Sequence, residues 1–402
     1  MEWKEVRLGE VADVQTGPFG SQLHKENYVN KGTPIVTVEH LGNKWFTSQN
    51  LPMVSDEDKL RLAKYCSQEG DVIFSRVGSV DRCSYVSKEY SGWLFSGRCL
   101  RVRPRSGINP EYLYYFLTNE GTKQYIRNIA VGATMPSINT KLLNEVPITI
   151  PSLDDQRRIV SILSSLDRKI ELNNKINADL EEMAQAIFKN WFVDFEPFKD
   201  GKFVDSELGM IPEGWKVGTL GDITKNKSAK VKERNDVKVL SPVTTGELVL
   251  SEEYFTKQVF SSSIAKYKIV NKGVFAYNPA RVNIGSLGRN EFDFDGCVSP
   301  VYVVFSVLDG YENYFDLFRN TDFFKDSVAS LAIGGVRQSL SYDDLCSIEV
   351  IIPSENAVEE FNNLYNQMKK TIKANKLENS RLSLLRDTLL PRLMSGELEV
   401  PE

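Results

Sequence analysis

Two long segments of the chain carry mainly apolar residues at alternating spacings of four and three. In the first segment this stripe consists of Ile159, Leu163, Leu166, Ile170, Asn173, Asn177, Leu180, Ala184, Ile187 and Trp191. In the second it consists of Phe361, Tyr365, Met368, Ile372, Asn375, Asn379, Leu382, Arg386, Leu389 and Leu393. Such spacing is the heptad pattern of helices that pair in a coiled coil. We therefore predict two long helices that pack along these stripes.

Two asparagines interrupt each stripe at matching places, Asn173 and Asn177 in the first helix and Asn375 and Asn379 in the second. Polar residues in a seam lower stability but fix the register, because a shifted alignment buries them without partners. We interpret all four as register residues of paired helices. The alternative is two unrelated amphipathic helices, each lying on its own domain, and it leaves the matched asparagines unexplained.

Short β-prone runs separated by Gly, Pro, Asn and Asp precede each long helix. DVIFSRV and VPITIPS are examples from the first half, and SPVYVVFSVL is one from the second. The segment INPEYLYYFLTNEGTKQYIRNIA predicts one helix that is entered through Asn109 and has Pro110 in its first turn. Each half is thus predicted to form an α+β domain of about 150 residues, enough to hold its own core.

The two halves of the chain repeat each other. AVGATMPSINTKLLNEVPITIPS, from Ala130 to Ser152, is answered 202 residues later by AIGGVRQSLSYDDLCSIEVIIPS, from Ala332 to Ser354. Self-similarity at a fixed offset indicates a duplicated structural unit. We divide the chain into a first domain (1–152), a first spacer helix (153–193), a linker (194–214), a second domain (215–354) and a second spacer helix with a C-terminal tail (355–402).

The order of these segments favours antiparallel helices. The linker has only about twenty residues, whereas parallel pairing requires it to run back along a helix of some forty residues, roughly 60 Å. An antiparallel pair instead brings the second domain to the end of the first helix. We therefore predict two duplicated domains separated by an antiparallel two-helix coiled coil with pseudo-twofold symmetry.

Composition narrows the class of protein. The 402 residues are 41% apolar and 26% charged, as in ordinary globular proteins, and their number predicts at least two domains. No stretch is apolar enough for a membrane span, and the N-terminus lacks the apolar run of a signal peptide. The five cysteines form no CxxC pair, so we expect a cytoplasmic protein without disulfides. The net charge of −5 argues against nucleic-acid binding unless local basic surfaces exist.

Motifs for catalysis are missing from the sequence. The two histidines, His24 and His40, have no cysteine or carboxylate at metal-ligand spacing. No phosphate-binding loop and no dinucleotide fingerprint occurs. YNPAR at Tyr277 is close to the Asn-Pro-Pro-aromatic motif of amino-methyltransferases, but Ala280 replaces the second proline and the aromatic residue is absent. We expect no catalytic residues and no metal site.

The chain resembles the DNA-specificity subunit of a type I restriction-modification system. The resemblance is carried by TGPFGSQL, GDVIFSRVG, GATMPSINTKLL, IPSLDDQRRIV, NWFVDFEPF, DSELGMIPEGW, FAYNPARVNIGS and LLPRLMSGEL, which cover the chain from end to end. It implies that each domain is a target recognition domain for one half of a bipartite DNA site. The helices are then spacers whose length sets the gap between half-sites, and they also dock methylation subunits.

The resemblance also implies the partners and cofactors. Double-stranded DNA, two methylation subunits and restriction subunits are the expected partners, with no membrane. S-adenosylmethionine, ATP and Mg²⁺ are expected in the partner subunits and none in this chain. Three other interpretations remain open: a standalone methyltransferase or nuclease, a coiled-coil scaffold without its own DNA readout, and the specificity component of a related enzyme that is not type I.

Candidate DNA-binding residues lie in polar loops and basic runs. Loops can approach DNA closely, and Arg, Asn and Gln can pair with base edges, whereas lysines contact phosphates. Basic runs also contain Arg98, Arg101, Arg103 and Arg105, and such runs are more often solvated surface. Arg337 and Gln338 stand where the first copy has Met135 and Pro136, so the two loops should make different contacts. The candidates are Ser21, Gln22, Ser75, Arg76, Arg82, Thr134, Asn139, Lys141, Lys227, Lys230, Tyr277, Asn278, Arg281, Asn283, Arg337 and Gln338.

Overall fold

The computed structural model describes residues 3–18, 20–255, 257–331 and 339–400, and in it the chain divides into two α+β units. The first unit contains Met1–Asn174 and Lys376–Glu402, and the second contains Lys175–Asn375. Each unit therefore contains one domain and about half of each long helix. The division predicted from the sequence placed the helices in segments of their own.

The first unit is built from short strands and helices. Its strands are Lys4–Arg7, Ala12–Thr16, Tyr28–Val29, Thr33–Val36, Met53–Val54, Val72–Ser75, Cys83–Tyr85, Leu94–Phe95, Cys99–Pro104 and Pro147–Ile150. Its short α-helices are Leu8–Val11, Asp56–Arg61, Pro110–Thr118, Glu120–Ile129 and Thr140–Asn144. Single 3-10 turns occur at Gly20–Gln22, Lys25–Asn27, Val38–His40, Ala63–Tyr65 and Lys88–Tyr90.

The second unit has the same kinds of element. Its strands are Phe203–Val204, Ile211–Pro212, Lys216–Thr219, Thr224–Asn226, Lys238–Pro242, Leu248–Leu250, Lys268–Val270, Phe275–Tyr277, Leu287–Arg289, Gly296–Val298, Val303–Val307 and Glu349–Ile352. Its short α-helices are Leu220–Ile223, Ser251–Tyr254, Glu312–Phe318, Asp322–Leu331 and Tyr342–Cys346, with 3-10 turns at Glu196–Phe198 and Val282–Ile284. The long helices run over Leu153–Phe192 and Glu355–Met394.

One four-stranded sheet has the same strand order in both domains. An antiparallel four-stranded sheet in the first domain has the order Ala12–Thr16, Cys99–Pro104, Val72–Ser75, Cys83–Tyr85, and its counterpart has the order Thr224–Asn226, Val303–Val307, Phe275–Tyr277, Leu287–Arg289. A second four-stranded sheet in each domain contains one parallel pair, Thr33–Val36 with Leu94–Phe95 and Lys238–Pro242 with Gly296–Val298. The sequence repeat is therefore a repeat of fold.

Each domain closes on itself. The opening strand Lys4–Arg7 pairs antiparallel with the closing strand Pro147–Ile150, with Lys4 opposite Ile150. Lys216–Thr219 pairs in the same way with Glu349–Ile352, with Lys216 opposite Ile352. The point where the chain enters a domain therefore lies beside the point where it leaves toward the long helix.

Asn119 divides the helix that the sequence predicted from Pro110 onward. Asn109 caps the first part, since its Oδ1 accepts hydrogen bonds from the amides of Glu111 (2.9 Å) and Tyr112 (3.1 Å). At Asn119 the backbone is extended, with ψ of 136°, and its side chain accepts from the amide of Gly121 to start a new helix. The prediction of one continuous helix was wrong, because asparagine favours helix caps over helix interiors.

The core of each domain extends onto the long helices. In the first unit, Tyr112 and Leu113 of the domain belong to one buried cluster with Ile159, Leu163 and Leu393 of the long helices. In the second unit a cluster joins aromatic residues of the domain to the helices, with members that include Phe188, Phe192, Phe315, Tyr314 and Phe361. Each domain is therefore held against helix by buried apolar surface, the main stabilising contribution in such contacts.

The long helices pair antiparallel within each unit, and their asparagines hydrogen-bond across the seam. In the first unit Asn173 donates to Oδ1 of Asn379 at 2.9 Å, and Asn379 donates to Oδ1 of Asn174 at 2.8 Å. In the second unit Asn375 donates to Oδ1 of Asn177 at 2.9 Å. Arg386 faces Asp167 in the first unit and Phe361 packs against Phe188 in the second, so rising residue numbers on one helix face falling numbers on the other.

Candidate nucleic-acid interface

The loop between residues 131 and 139 of the first domain is a tight, exposed turn. Val131 and Ser137 exchange two backbone hydrogen bonds of 2.9 and 2.8 Å at its base. Gly132 has a φ of +113°, and a Cβ there would lie 2.7 Å from the carbonyl oxygen of Met135, so the turn requires glycine. Thr134 and Met135 are consequently exposed at the tip.

This loop is fastened to the turn that follows the strand Val72–Ser75. The amide of Ile138 donates to the carbonyl of Arg76 at 2.9 Å, and the amide of Gly78 donates to that of Pro136 at 2.8 Å. The Arg76 guanidinium donates to the carbonyl of Gly97 at 3.2 Å. The two backbone bonds bring the backbone of Arg76 beside the loop that carries Thr134, two of the candidates named from the sequence.

Asn139 and Lys141 continue the same surface. Asn139 is exposed and caps the helix Thr140–Asn144, since its Oδ1 accepts a 2.9 Å hydrogen bond from the amide of Leu142. Lys141 is exposed in the first turn of that helix. We call the surface formed by residues 76–79 and 131–141 the first loop surface.

The matching turn of the second domain follows the strand Phe275–Tyr277. Asn278 is half-buried, and its Oδ1 accepts from the amide of Ala280 at 3.1 Å. Gly285 has a φ of +91°, and a Cβ there would lie 2.6 Å from the carbonyl oxygen of Thr244. This tight packing leaves Arg281 and Asn283 exposed.

The second turn is fastened by the same backbone bond as the first. The amide of Leu340 donates to the carbonyl of Pro279 at 3.1 Å, and Leu340 lies 202 residues after Ile138. Pro279 therefore occupies the place of Arg76. Arg337 and Gln338 lie outside the described residues. We call the surface formed by residues 278–286 the second loop surface.

A cleft of about 290 Å³ opens beside the second loop surface. Asn283 and Ile284 line it from the turn, Thr244 and Thr245 from the neighbouring segment, and Lys325 from the helix Asp322–Leu331. Amide, hydroxyl and ammonium groups on a concave surface are suited to phosphate and sugar oxygens. Sequence reasoning did not single out Thr245 or Lys325, because no local pattern links them to Asn283.

Several lysines lie in the same domain as the second loop surface. Lys230 is exposed, and its backbone pairs with that of Lys268. Lys268 donates from Nζ to the carbonyl of Tyr302 at 2.6 Å. Burial raises the pKa of the Tyr302 hydroxyl, and the Arg281 charge and a hydrogen bond with Asn278 act in the opposite direction. Lys227, three residues before Lys230, is half-buried, and its amide donates to the carbonyl of Val304.

Two of the predicted DNA contacts, Ser75 and Tyr277, have fully buried side chains. Ser75 is fully buried in its strand and donates to the carbonyl of Val77. Tyr277 is also fully buried, and its hydroxyl donates to the carbonyl of Ser341 at 3.0 Å. Arg82 donates to the carbonyl of Leu41 inside the domain. Ser75 and Tyr277 face the core and offer no side chain to DNA, whereas Arg82 is half-buried and stays a prediction.

Arginines of the first basic run mostly stabilise the domain. Arg103 makes two hydrogen bonds of 2.7 Å to the buried carboxylate of Asp71, and Arg105 pairs with Asp13 at 2.5 Å. Arg101 is buried. Arg98 is exposed, and its carbonyl accepts from the amide of Arg76 at 2.9 Å, so it adjoins the first loop surface.

Gln22 contacts residues of the first domain that lie outside the first loop surface. The Gln22 amide oxygen accepts a 2.6 Å hydrogen bond from the hydroxyl of Tyr65, and its carbonyl accepts from Arg61. Ser21 belongs to the 3-10 turn Gly20–Gln22. Of the described candidates outside the corrections above, Arg76, Thr134, Asn139 and Lys141 share the first loop surface, and Asn278, Arg281 and Asn283 share the second.

The described residues offer little support for a catalytic function. No group of three His, Cys, Asp or Glu residues among them could hold a metal ion. Burial raises the pKa of the Cys83 and Cys99 thiols to about 12, so both stay protonated at neutral pH and are poor nucleophiles. No helix in the same ranges combines the length and the apolar character that crossing a membrane requires.

Comparisons with known proteins agree on one family. The type I restriction modification DNA specificity domain matches residues 1–182. The MjaIX specificity subunit of Methanocaldococcus jannaschii is 30% identical over 415 residues, which cover 100% of this chain and 94% of that protein. The HindI specificity subunit of Haemophilus influenzae is 24% identical over 475 residues, which cover 99% of this chain and 100% of that protein.

A solved structure supports the fold. The S subunit of a type I restriction-modification system from M. genitalium aligns over 100% of this chain and 96% of its own, with a TM-score of 0.58 and 15% identity. The α+β architecture predicted from the sequence is therefore confirmed.

Proposed function

Because this chain belongs to the family of type I restriction enzyme specificity subunits, we propose that it reads a bipartite DNA site with one half-site for each domain. One observation carries the proposal. The same backbone hydrogen bond supports both loop surfaces. The amide of Ile138 donates to the carbonyl of Arg76, and the amide of Leu340 donates to the carbonyl of Pro279. The loops that this bond supports differ in sequence, as Arg337 and Gln338 differ from Met135 and Pro136. A common backbone support with different loops suits two domains that bind DNA alike but read different bases.

Base contacts would come from the exposed polar side chains at the loop surfaces. Asn283 can pair bidentately with adenine and Arg281 with guanine in the major groove. In the first domain Thr134 and the methionine beside it offer a hydroxyl and an apolar contact, which suit a thymine methyl group. Arg337 and Gln338 remain proposed base contacts of the second domain.

Phosphate contacts would come from Lys227 and Lys230 and from lysine and arginine beside the loops, Lys141 and Arg98. Such contacts give affinity without sequence preference. They also answer the objection from the net charge of −5. A locally basic face is compatible with an acidic chain, since exposed charges more than about 10 Å apart are largely screened by salt.

The long helices would act as spacers and as docking elements for methylation subunits. Leu377, Leu384 and Leu385 of the second long helix are 54%, 71% and 47% exposed. Leu377 and Leu384 are seven residues apart and so share one face, away from the asparagine seam. The first helix has Lys175 and Glu182 at the places of Leu377 and Leu384. We assign this leucine face to a methylation subunit, because exposed apolar patches of this kind mark protein contacts.

Catalysis would reside in the partner subunits. S-adenosylmethionine, ATP and Mg²⁺ belong there in this proposal, and restriction subunits join the same assembly. The chain itself then acts by selecting the site at which its partners work.

Exchange of one domain tests the proposal. Residues 4–150, which begin and end in paired strands, are replaced by the same region of a relative with a different target, and the chain is expressed with its methylation subunits. Sequencing of methylated sites should show one half-site changed and the other kept. The matched control replaces residues 216–352 and should change the opposite half. A change in both halves after a single exchange would contradict separate reading, and a complex without DNA binding would favour a scaffold.

A further inference from the structure

Each domain is fastened to its long helix by an ion-pair network, and the helix residue of the first network is acidic. Asp167 of the first long helix lies 3.4 Å from Nζ of Lys44 in the first domain, and both side chains are only 6% exposed. Lys44 also lies 2.9 Å from the carboxylate of Glu111. We call Lys44, Glu111, Tyr115, Asp167 and Arg386 the acidic anchor.

The Asp167 carboxylate is bound through both oxygens. Tyr115 donates its hydroxyl proton to Oδ2 at 2.5 Å, and Arg386 of the second long helix donates to Oδ1 at 2.9 Å. The Lys44 ammonium also lies 4.9 Å from the centre of the Tyr115 ring. A buried carboxylate with its partners in place is tolerated, whereas removal of one partner leaves an uncompensated buried charge.

The second unit has a basic residue at the equivalent helix position. Lys369 lies 202 residues after Asp167, and its Nζ is 2.7 Å from Oε1 of Glu291 and 3.9 Å from Oδ2 of Asp316. Both carboxylates belong to the second domain. We call Glu291, Asp316 and Lys369 the basic anchor.

The two anchors also differ in charge on the helix that faces the anchor residue. Arg386, which neutralises Asp167, lies 202 residues after Ala184. A cation at position 184 would repel Lys369, and the chain has a small neutral side chain there, buried in the second unit. The charges of domain, helix and facing helix are therefore consistent within each anchor.

We infer that the two anchors assign each domain to its own helix position. A domain placed at the other position meets like charge: Lys44 would approach Lys369, and Glu291 would approach Asp167. Like charges brought together in a partly buried site strongly disfavour the arrangement. Asp167 and Lys369 are thus positioning residues that decide which domain each half of the chain accepts.

The inference deepens the proposed function, because assignment of the domains matters when each reads a different half-site. Its test requires no DNA. Loss of DNA recognition would leave the anchors intact, and interchangeable anchors would leave DNA recognition intact, so the two ideas can fail separately.

The first experiment reverses the acidic anchor in the full chain. Asp167→Lys and Lys44→Glu should each lower the midpoint of thermal unfolding by about 10 °C. The triple variant Lys44→Glu, Asp167→Lys, Arg386→Ala gives a helix lysine between two domain carboxylates, as in the basic anchor, and should regain at least half of the loss. As a control, Lys169→Glu disturbs the exposed pair with Glu378 and should shift the midpoint by roughly 1 °C. A triple variant as unstable as the sum of its parts overturns the inference.

The second experiment places residues 215–354 at both domain positions. In this chimera the double variant Asp167→Lys, Arg386→Ala should raise the unfolding midpoint, because the copied Glu291 and Asp316 then meet a lysine. In the natural chain the same double variant should lower it, because the lysine then meets Lys44. Opposite signs in the two backgrounds support the inference, and equal signs overturn it. If the chimera does not fold, the triple variant above still decides.

Discussion

Asn375 donates a hydrogen bond of 2.9 Å to Oδ1 of Asn177 across the two long helices. Asn177 is buried, so its amide depends on this partner. We predict that Asn177→Leu alone lowers the free energy of unfolding by about 1–3 kcal/mol, because it leaves the Asn375 amide without its partner. The double variant Asn177→Leu, Asn375→Leu should regain this loss, since two leucines pack in the seam. Urea unfolding of both variants measures the effect, and a double variant below the single one would contradict it.

Substitutions of lysines and of loop residues should change DNA binding in different ways. Changing Lys227 and Lys230 to Ala should weaken binding to all sequences alike and flatten the slope of log K against log salt by about 1.8, the effect of two lost phosphate contacts. Asn283→Ala should instead relax preference at one base pair by about 1–3 kcal/mol. Fluorescence anisotropy of the assembled complex on matched and mismatched duplexes separates the two. Equal behaviour of the variants would contradict the assignment of Asn283 to a base.

Arg337 and Gln338 should behave as Asn283 does. Their replacement by Ala is expected to relax selection at one or two base pairs of the second half-site, by about 1–3 kcal/mol for each good contact. The measurement is methylated-site sequencing with both domains otherwise unchanged. Uniform loss of affinity over all sites would place these residues against phosphates.

Lengthening one long helix should lengthen the gap between half-sites. Four residues inserted between Asn177 and Leu180 add roughly 6 Å and turn the helix by slightly more than one full turn, so the seam is nearly kept. With base pairs about 3.4 Å apart, the gap should grow by one to two pairs. Both half-sites should stay the same. An active variant that methylates sites with the original gap would show that the helices do not measure it.

Acid should destabilise the second unit through Asp316. Burial raises the pKa of this carboxyl, but the charges of Arg319 and Lys369 outweigh burial and the pKa lies below its ordinary value of 3.8. A lowered pKa contributes stability that is complete above the ordinary value and is lost as pH falls through the lower value in the folded state. Thermal unfolding should therefore shift downward below about pH 4. Asp316→Asn should be less stable at neutral pH and lose less on acidification; an unchanged acid profile would contradict the role of Asp316.

The leucine face should be required for assembly with methylation subunits. Leu384→Glu places a charge on this face and should reduce the amount of co-expressed methylation subunit that copurifies, with the chain itself still folded. Ser161→Glu adds the same charge at an exposed position of the first long helix, outside the leucine face, and should leave assembly unchanged. Equal recovery with both variants would remove the docking assignment.

Repeats and periodic patterns made much of the fold predictable. The heptad stripes predicted long helices, which run over Leu153–Phe192 and Glu355–Met394, because helix periodicity is a local property of sequence. The strand Val72–Ser75 was also visible as a β-prone run. All four of its residues are buried, so the alternation that distinguishes inner from outer faces was missing there. That is why Ser75 was taken for a surface residue.

Contacts between residues that are far apart in the chain could not be predicted from the sequence. Lys44 and Asp167 are separated by more than a hundred residues, and no motif links them. The loops could be located because glycine turns and the repeat mark them, as Gly132 does. Which of their side chains are exposed depended on packing between segments, as with Arg82, whose guanidinium is held by the carbonyl of Leu41.

The pairing of Lys4–Arg7 with Pro147–Ile150, and of Lys216–Thr219 with Glu349–Ile352, has an evolutionary consequence. A gene segment that begins and ends in such strands encodes a domain whose two ends lie side by side. Recombination between related genes can then deliver a whole domain with only one short piece of sheet to re-form. With one half-site read by each domain, as proposed above, a lineage can thereby acquire a new DNA target in a single genetic event, while the long helices are inherited unchanged.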